Sequence, residues 1–106
     1  MITFRHGVSN FKNMTLECCG ASNPIASAAA SALMGAAIGA IELRNPSQYD
    51  KQVKDGYVRV KCDYNVHTAE IAMTVICGFN FLAQQMPDSV QVERISERMM
   101  NDAQAP

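Results

Sequence analysis

Asn23-Pro24-Ile25-Ala26-Ser27-Ala28-Ala29-Ala30-Ser31-Ala32-Leu33-Met34-Gly35-Ala36-Ala37-Ile38-Gly39-Ala40-Ile41-Glu42-Leu43 is the stretch that decides the fold. Asn23 can cap the free N–H groups of a helix, and Pro24 suits the first helical position, where its missing donor costs nothing. Arg44 suits the negative C-terminal end, and Pro46 cannot continue the ladder. No charge interrupts the chain from Cys18 to Ile41. The run therefore predicts a helix buried nearly all round, with small residues that let another backbone come close.

A membrane span is the rival reading. The length suits a bilayer, and Gly35-Ala36-Ala37-Ile38-Gly39 has a spacing that packs helices in lipid. Alanine and serine are weakly apolar, however, and Ile, Leu and Met are a minority of the run. A half-buried strand pattern precedes it, and no basic cluster flanks it. A soluble core helix is expected, with no membrane partner.

On the N-terminal side, Ile2, Phe4 and His6 alternate with Thr3 and Arg5 as a short strand. Gly7 to Asn13 has turn composition. Met14, Leu16 and Cys18 then share one face of a second strand, with Thr15, Glu17 and Cys19 on the other. The short link predicts a hairpin. On the C-terminal side, Asn45 to Asp55 is polar and reads as a surface loop. From Gly56 a third strand alternates cleanly, with Val58, Val60, Cys62 and Tyr64 on one face. Asn65 can cap a second helix running to about Met86. Its apolar stripe is Ala72, Val75, Ile76, Phe79, Leu82, Ala83 and Met86. Cys62, Cys77, Met73 and Met86 read as packing atoms. Pro87 stops the helix, and Val90 and Val92 mark a last strand.

The order is ββαβαβ, an α+β two-layer sandwich with a four-stranded sheet and two helices on one face. Residues 1–95 read as a single domain. Residues 96–106 read as a polar tail, either a frayed helix or disordered. No internal repeat is visible.

The 106 residues can build a core without metal or disulfide staples. A net charge of −1, with basic residues scattered singly, gives no electrostatic case for nucleic acid. The four cysteines, Cys18, Cys19, Cys62 and Cys77, lack metal-binding spacing, so no metal or cofactor is expected. Reduced thiols and a strand-like start in place of a secretory signal point to the cytoplasm.

The order of elements and several strings resemble the Prp family. These are small cysteine proteases that trim the N-terminal extension of a large-subunit ribosomal protein and also process phage structural proteins. The family carries Gly-His-Ala at the end of its second strand, then a loop and a helix opening Cys-Ala-Ala/Gly-x-Ser-Ala. This helix reads Ser27-Ala28-Ala29-Ala30-Ser31-Ala32-Leu33, and Asp55-Gly56-Tyr57 also looks like the family. The resemblance covers roughly residues 1–95. It implies the fold, a homodimer, and a peptide or protein ligand, ribosomal or phage structural. It places Ser27 in the cysteine-nucleophile slot, Cys18 in the glycine slot and Cys19 in the histidine-base slot. Both halves of the dyad are therefore changed. The implied role is a non-catalytic binding or regulatory protein, phage- or prophage-encoded. The alternative is an altered cysteine peptidase using Cys19.

Cys19, Ser27 and His67 are the candidate catalytic residues. A helix start near Pro24 could raise the thiolate fraction of Cys19 and offer N–H groups to an oxyanion. Ser27 needs a base within hydrogen-bond reach. His6 is expected near Asn13, away from Cys19. His67, in the first turn of the second helix, can approach Cys19 only if the second and third predicted strands run parallel.

Overall fold

In the computed structural model, which describes residues 1–95, the elements run β1 (Ile2–Ser9), β2 (Asn13–Cys19), α1 (Pro24–Leu43), β3 (Tyr49–Lys54), β4 (Tyr57–Asp63), α2 (Val66–Gln85) and β5 (Val90–Arg94). The sheet has five strands in the order β3-β4-β2-β1-β5. Only β5 runs parallel to its neighbour, β1; the other pairs are antiparallel. The α+β expectation holds, with five strands in place of four. The tail expected over 96–106 lies outside the described residues.

The extra strand is β3, inside the stretch expected to be a loop. Every residue of β3 except Tyr49 is exposed, so it shows no apolar alternation to read. It is an edge strand carrying Asp50, Lys51 and Lys54, charges that blunt an open edge against unwanted pairing. The two-residue connection Asp55-Gly56 joins it to β4, with Gly56 at φ +71. β1 also runs three residues further than expected. Asn10 and Phe11 turn the hairpin with φ 52 and 54, and Lys12 N donates to Ser9 O at 3.0 Å.

Alternation decides which side of the sheet is dry. Ile2, Phe4, Met14, Leu16, Cys18, Val60, Cys62 and Val90 point into one core with the inner stripes of both helices. Phe4 and Phe79 stack at its centre, with ring centroids 4.0 Å apart. The other face is polar, and a ladder of side chains crosses all five strands there. Register places Gln52, Arg59, Glu17, Arg5 and Glu93 in one row. Arg5 bonds Glu17 at 3.3 Å and Glu93 at 2.8 Å, and Tyr57 donates to Glu17 at 2.9 Å.

α1 is not buried all round. Its buried residues are Ala26, Ala30, Met34, Ala37 and Ile41, one stripe at three- and four-residue steps. Ala28, Ala32, Gly35, Ala36 and Gly39 are exposed. An uncharged run of small residues loses little by facing water, so absence of charge did not mean burial. α1 and α2 are each long and apolar enough to cross a membrane by length and composition. Here each packs a stripe into the core shared with the sheet. In α2 the expected core stripe holds, but Met73 and Cys77 are exposed. Asn65 and Thr68 form a capping box at its start, with Thr68 fully buried.

Candidate functional site

β2, α1 and the β3–β4 hairpin meet at one end of the sheet. Gly20, at φ +97, follows β2 directly, and its N–H donates to Gly56 O at 2.9 Å. A Cβ at Gly20 would collide with the Met1 carbonyl, so only glycine fits this crossing. The link then needs three residues to reach α1. Asn23 Oδ1 accepts from Ala26 N at 2.9 Å, and its amide donates to Ser89 Oγ at 3.1 Å.

Between α1 and the hairpin lies a groove of about 540 Å³. α1 supplies Ser27, Ser31, Met34 and Gly35; the hairpin supplies Lys51, Val53, Lys54 and Val58; Ile2 and Cys18 form the floor. Lys51 is tethered, its Nζ donating to Glu42 Oε2 at 2.8 Å. Tyr49 Oη donates to the same oxygen at 2.6 Å. The bonds from Lys51 and then Tyr49 hold the Glu42 carboxyl below its ordinary value. Lys54 makes no ion pair among the described residues.

The candidate residues are spread over this structure. Ser27 lines the groove, and its hydroxyl is engaged with the loop before it. Oγ accepts from Ser22 N and donates to Ser22 O, both at 3.3 Å. Cys19 lies on the opposite, polar face, in register with Thr3 and Tyr57. The structure therefore does not bring Cys19 and Ser27 together. The thiol that faces the groove is Cys18; burial pushes its pKa up to about 11, with smaller contributions from Cys19 and Glu17. The strand alternation already placed Cys18 and Cys19 on opposite faces, and that signal outweighs the match to a family slot.

Neither histidine is at this end. β2 and β4 are antiparallel, so the condition for a Cys19–His67 approach is not met. Cys19 pairs with Tyr57. His67 follows the other end of β4, six residues or about 20 Å along the strand. His6 is paired with Leu16, not Asn13, and stacks on Phe4 with centroids 5.9 Å apart. It lies four residues, about 13 Å, along β1 from Ile2 in the groove floor.

A five-stranded sheet carrying two helices on one face is a fold this chain shares with small ribosomal-processing proteases. The Prp protease of Staphylococcus aureus, solved with a covalently linked product peptide, superposes with a TM-score of 0.75 at 19% identity. That match covers 90% of this chain and 100% of the protease. The same protease with a substrate peptide gives 0.71 at 17% identity, over 90% and 100%. A Streptococcus mutans protein gives 0.68 at 19% identity, over 90% and 94%. No family model matches the sequence, and no curated protein matches it. The chain has the Prp fold.

Proposed function

We propose that this chain binds an extended peptide or protein segment in the groove between α1 and the β3–β4 hairpin without cleaving it. One observation carries the reading. Ser27, which the sequence resemblance assigns to the nucleophile slot, has its hydroxyl bonded to Ser22, and neither histidine reaches this end of the sheet. A serine hydroxyl without a base is a poor nucleophile, and a buried thiol raised to about 11 stays protonated at neutral pH. What is left is an open, largely apolar trough with a few polar groups, a shape suited to holding a chain segment. Two of the solved relatives hold peptides, which supports this class of ligand.

In this reading residues 1–95 are the binding domain and 96–106 a separate tail. The protein is a cytoplasmic homodimer of phage or prophage origin, and its ligand is a ribosomal or phage structural protein. Fluorescently labelled N-terminal extension peptides of the large-subunit ribosomal protein, and phage capsid and scaffold proteins, test it. Saturable binding with intact mass by mass spectrometry is expected, weakened by Lys54→Glu at the groove wall. Peptide cleavage that disappears in Cys19→Ala would overturn it in favour of an altered peptidase. That second reading rests on Cys19 being half-buried and thus reachable while Cys18 is buried.

A further inference from the structure

We propose that Tyr49 and Glu42 form a latch on the groove, their hydrogen bond holding β3 against α1 and so governing entry. The inference deepens the reading of the groove as a binding site and rests on that reading for its purpose. It starts from an oddity of the sequence. Glu42 is the one charged residue from Cys18 to Leu43. It stands in the last turn of α1, where unpaired carbonyls make the helix end negative. The helix dipole opposes a carboxylate there unless donors answer it. Two do. Tyr49 Oη donates to Glu42 Oε2 at 2.6 Å, and Lys51 Nζ donates to the same oxygen at 2.8 Å. Among the described residues, these are the hydrogen bonds that join α1 to β3.

Position makes this bond a latch. Ser31, Gly35 and Ile38 line the groove from α1, and Glu42 stands one turn past Ile38 on the same side of the helix. Lys51 and Val53 line it from β3, and Tyr49 stands two residues before Lys51 on the same face of the strand. The bond therefore crosses one end of the groove. The opposite end is held by the backbone, where Gly20 N–H donates to Gly56 O at 2.9 Å. β3 pairs with β4 alone, so without the bond to α1 it is free to tilt outward about that ladder. A short O–H bond to an ionised carboxylate is of the strong, charge-assisted kind. Both groups keep their roles at neutral pH. The bonds from Lys51 and then Tyr49 hold the Glu42 carboxyl below its ordinary value, and burial, then Glu42, holds the Tyr49 hydroxyl above its own. Tyr49 is half-buried and packs against the core, whereas Lys51 is exposed. An exposed ion pair contributes little, so the hold lies with Tyr49.

Two buried thiols read the latch without any ligand. Cys18, in the groove floor, is in register with Val58, which pairs with Val53 of β3. Cys62 lies opposite Tyr49 itself. Tyr49→Phe keeps the ring and removes the hydroxyl. The folded chain is treated with 4,4′-dithiodipyridine at neutral pH, and labelling is followed by mass spectrometry of the digest. Cys18 should react about tenfold faster in Tyr49→Phe and in Glu42→Ala, at an unchanged urea midpoint. Glu42→Gln, which still accepts from Tyr49, should restore most of the parent's rate, and Lys51→Met should change it less than about twofold. Cys18 reacting at the parent's rate in both Tyr49→Phe and Glu42→Ala overturns the proposal. So does acceleration at Cys62 alone, which means a loose ring over a closed groove, or a fall in urea midpoint large enough to account for the faster labelling. A peptide that binds the parent should associate about threefold faster with Tyr49→Phe, and an unchanged association rate also overturns the latch. If no peptide binds any variant, the ligand reading fails while the Cys18 rates still decide the latch.

Discussion

Two of the helix glycines, Gly39 and Gly78, do different jobs. A side chain at Gly39 would meet no atom within 4 Å, whereas one at Gly78 would meet Leu33. Gly39→Ala should raise the unfolding free energy by about 0.5–1 kcal/mol, because alanine removes unfolded-state freedom. Gly78→Ala should gain less or lose stability, since Leu33 must leave its place. Urea midpoints compare the two; equal gains would contradict the packing described. The thiols divide just as sharply. Burial drives both Cys18 and Cys62 up to about 11, with Asp63 adding to the second. Iodoacetamide at neutral pH should therefore modify Cys77 first and Cys19 more slowly, leaving Cys18 and Cys62 untouched until the chain unfolds. Mass spectrometry of the labelled peptides reads this out. Cys77 also shows where a reading by residue type stops. A cysteine and a methionine on an apolar helix look like core atoms, yet Met73 and Cys77 both face out.

Among the elements, the ones legible in the sequence were those with two faces of different polarity. β2, β4 and α2 alternate or repeat clearly, because each buries one side and wets the other. β3 was illegible for a physical reason. An edge strand with a single half-buried residue, Tyr49, and three charges carries the composition of a loop. α1 was legible as a helix from its cap and proline, but its burial was overread, because alanine and glycine sit equally well on either side. The start of α2 gives a prediction at this scale. Asn65 Oδ1 accepts from both His67 N and Thr68 N, and Thr68 Oγ1 accepts from Asn65 N. Asn65→Ala should cost about 1 kcal/mol, and Asn65→Asp should restore most of it. Thermal denaturation distinguishes the pair. The site was legible in part. Ser27 was found at the groove, whereas the separation of Cys19 and His67 follows from strand direction, which no local pattern states.

For the whole molecule, antiparallel pairing of β2 with β4 sends the two helix starts to opposite ends of the sheet. That one choice keeps His67 away from the groove. The other imidazole gives the fold a pH dependence. Burial, and then Arg94, lowers the pKa of His6 from its ordinary 6.5. The folded chain then takes up a proton less readily than the unfolded one. This contribution is fully present above 6.5 and is lost as the pH falls through the lower folded-state value. Below pH 6.5 the melting temperature of the parent should fall more steeply than that of His6→Gln; parallel curves would remove His6 as the cause. The lone pairing of β3 has a mechanical consequence. One jaw of the trough is a long helix seated on the core, and the other hangs from a single neighbour with five of its six residues in water. The stiff jaw fixes where a guest lies, while the pliant one adjusts to its girth. Amide protons in Tyr49–Lys54 should accordingly exchange fastest of all the strands, and slow most when a guest is clamped.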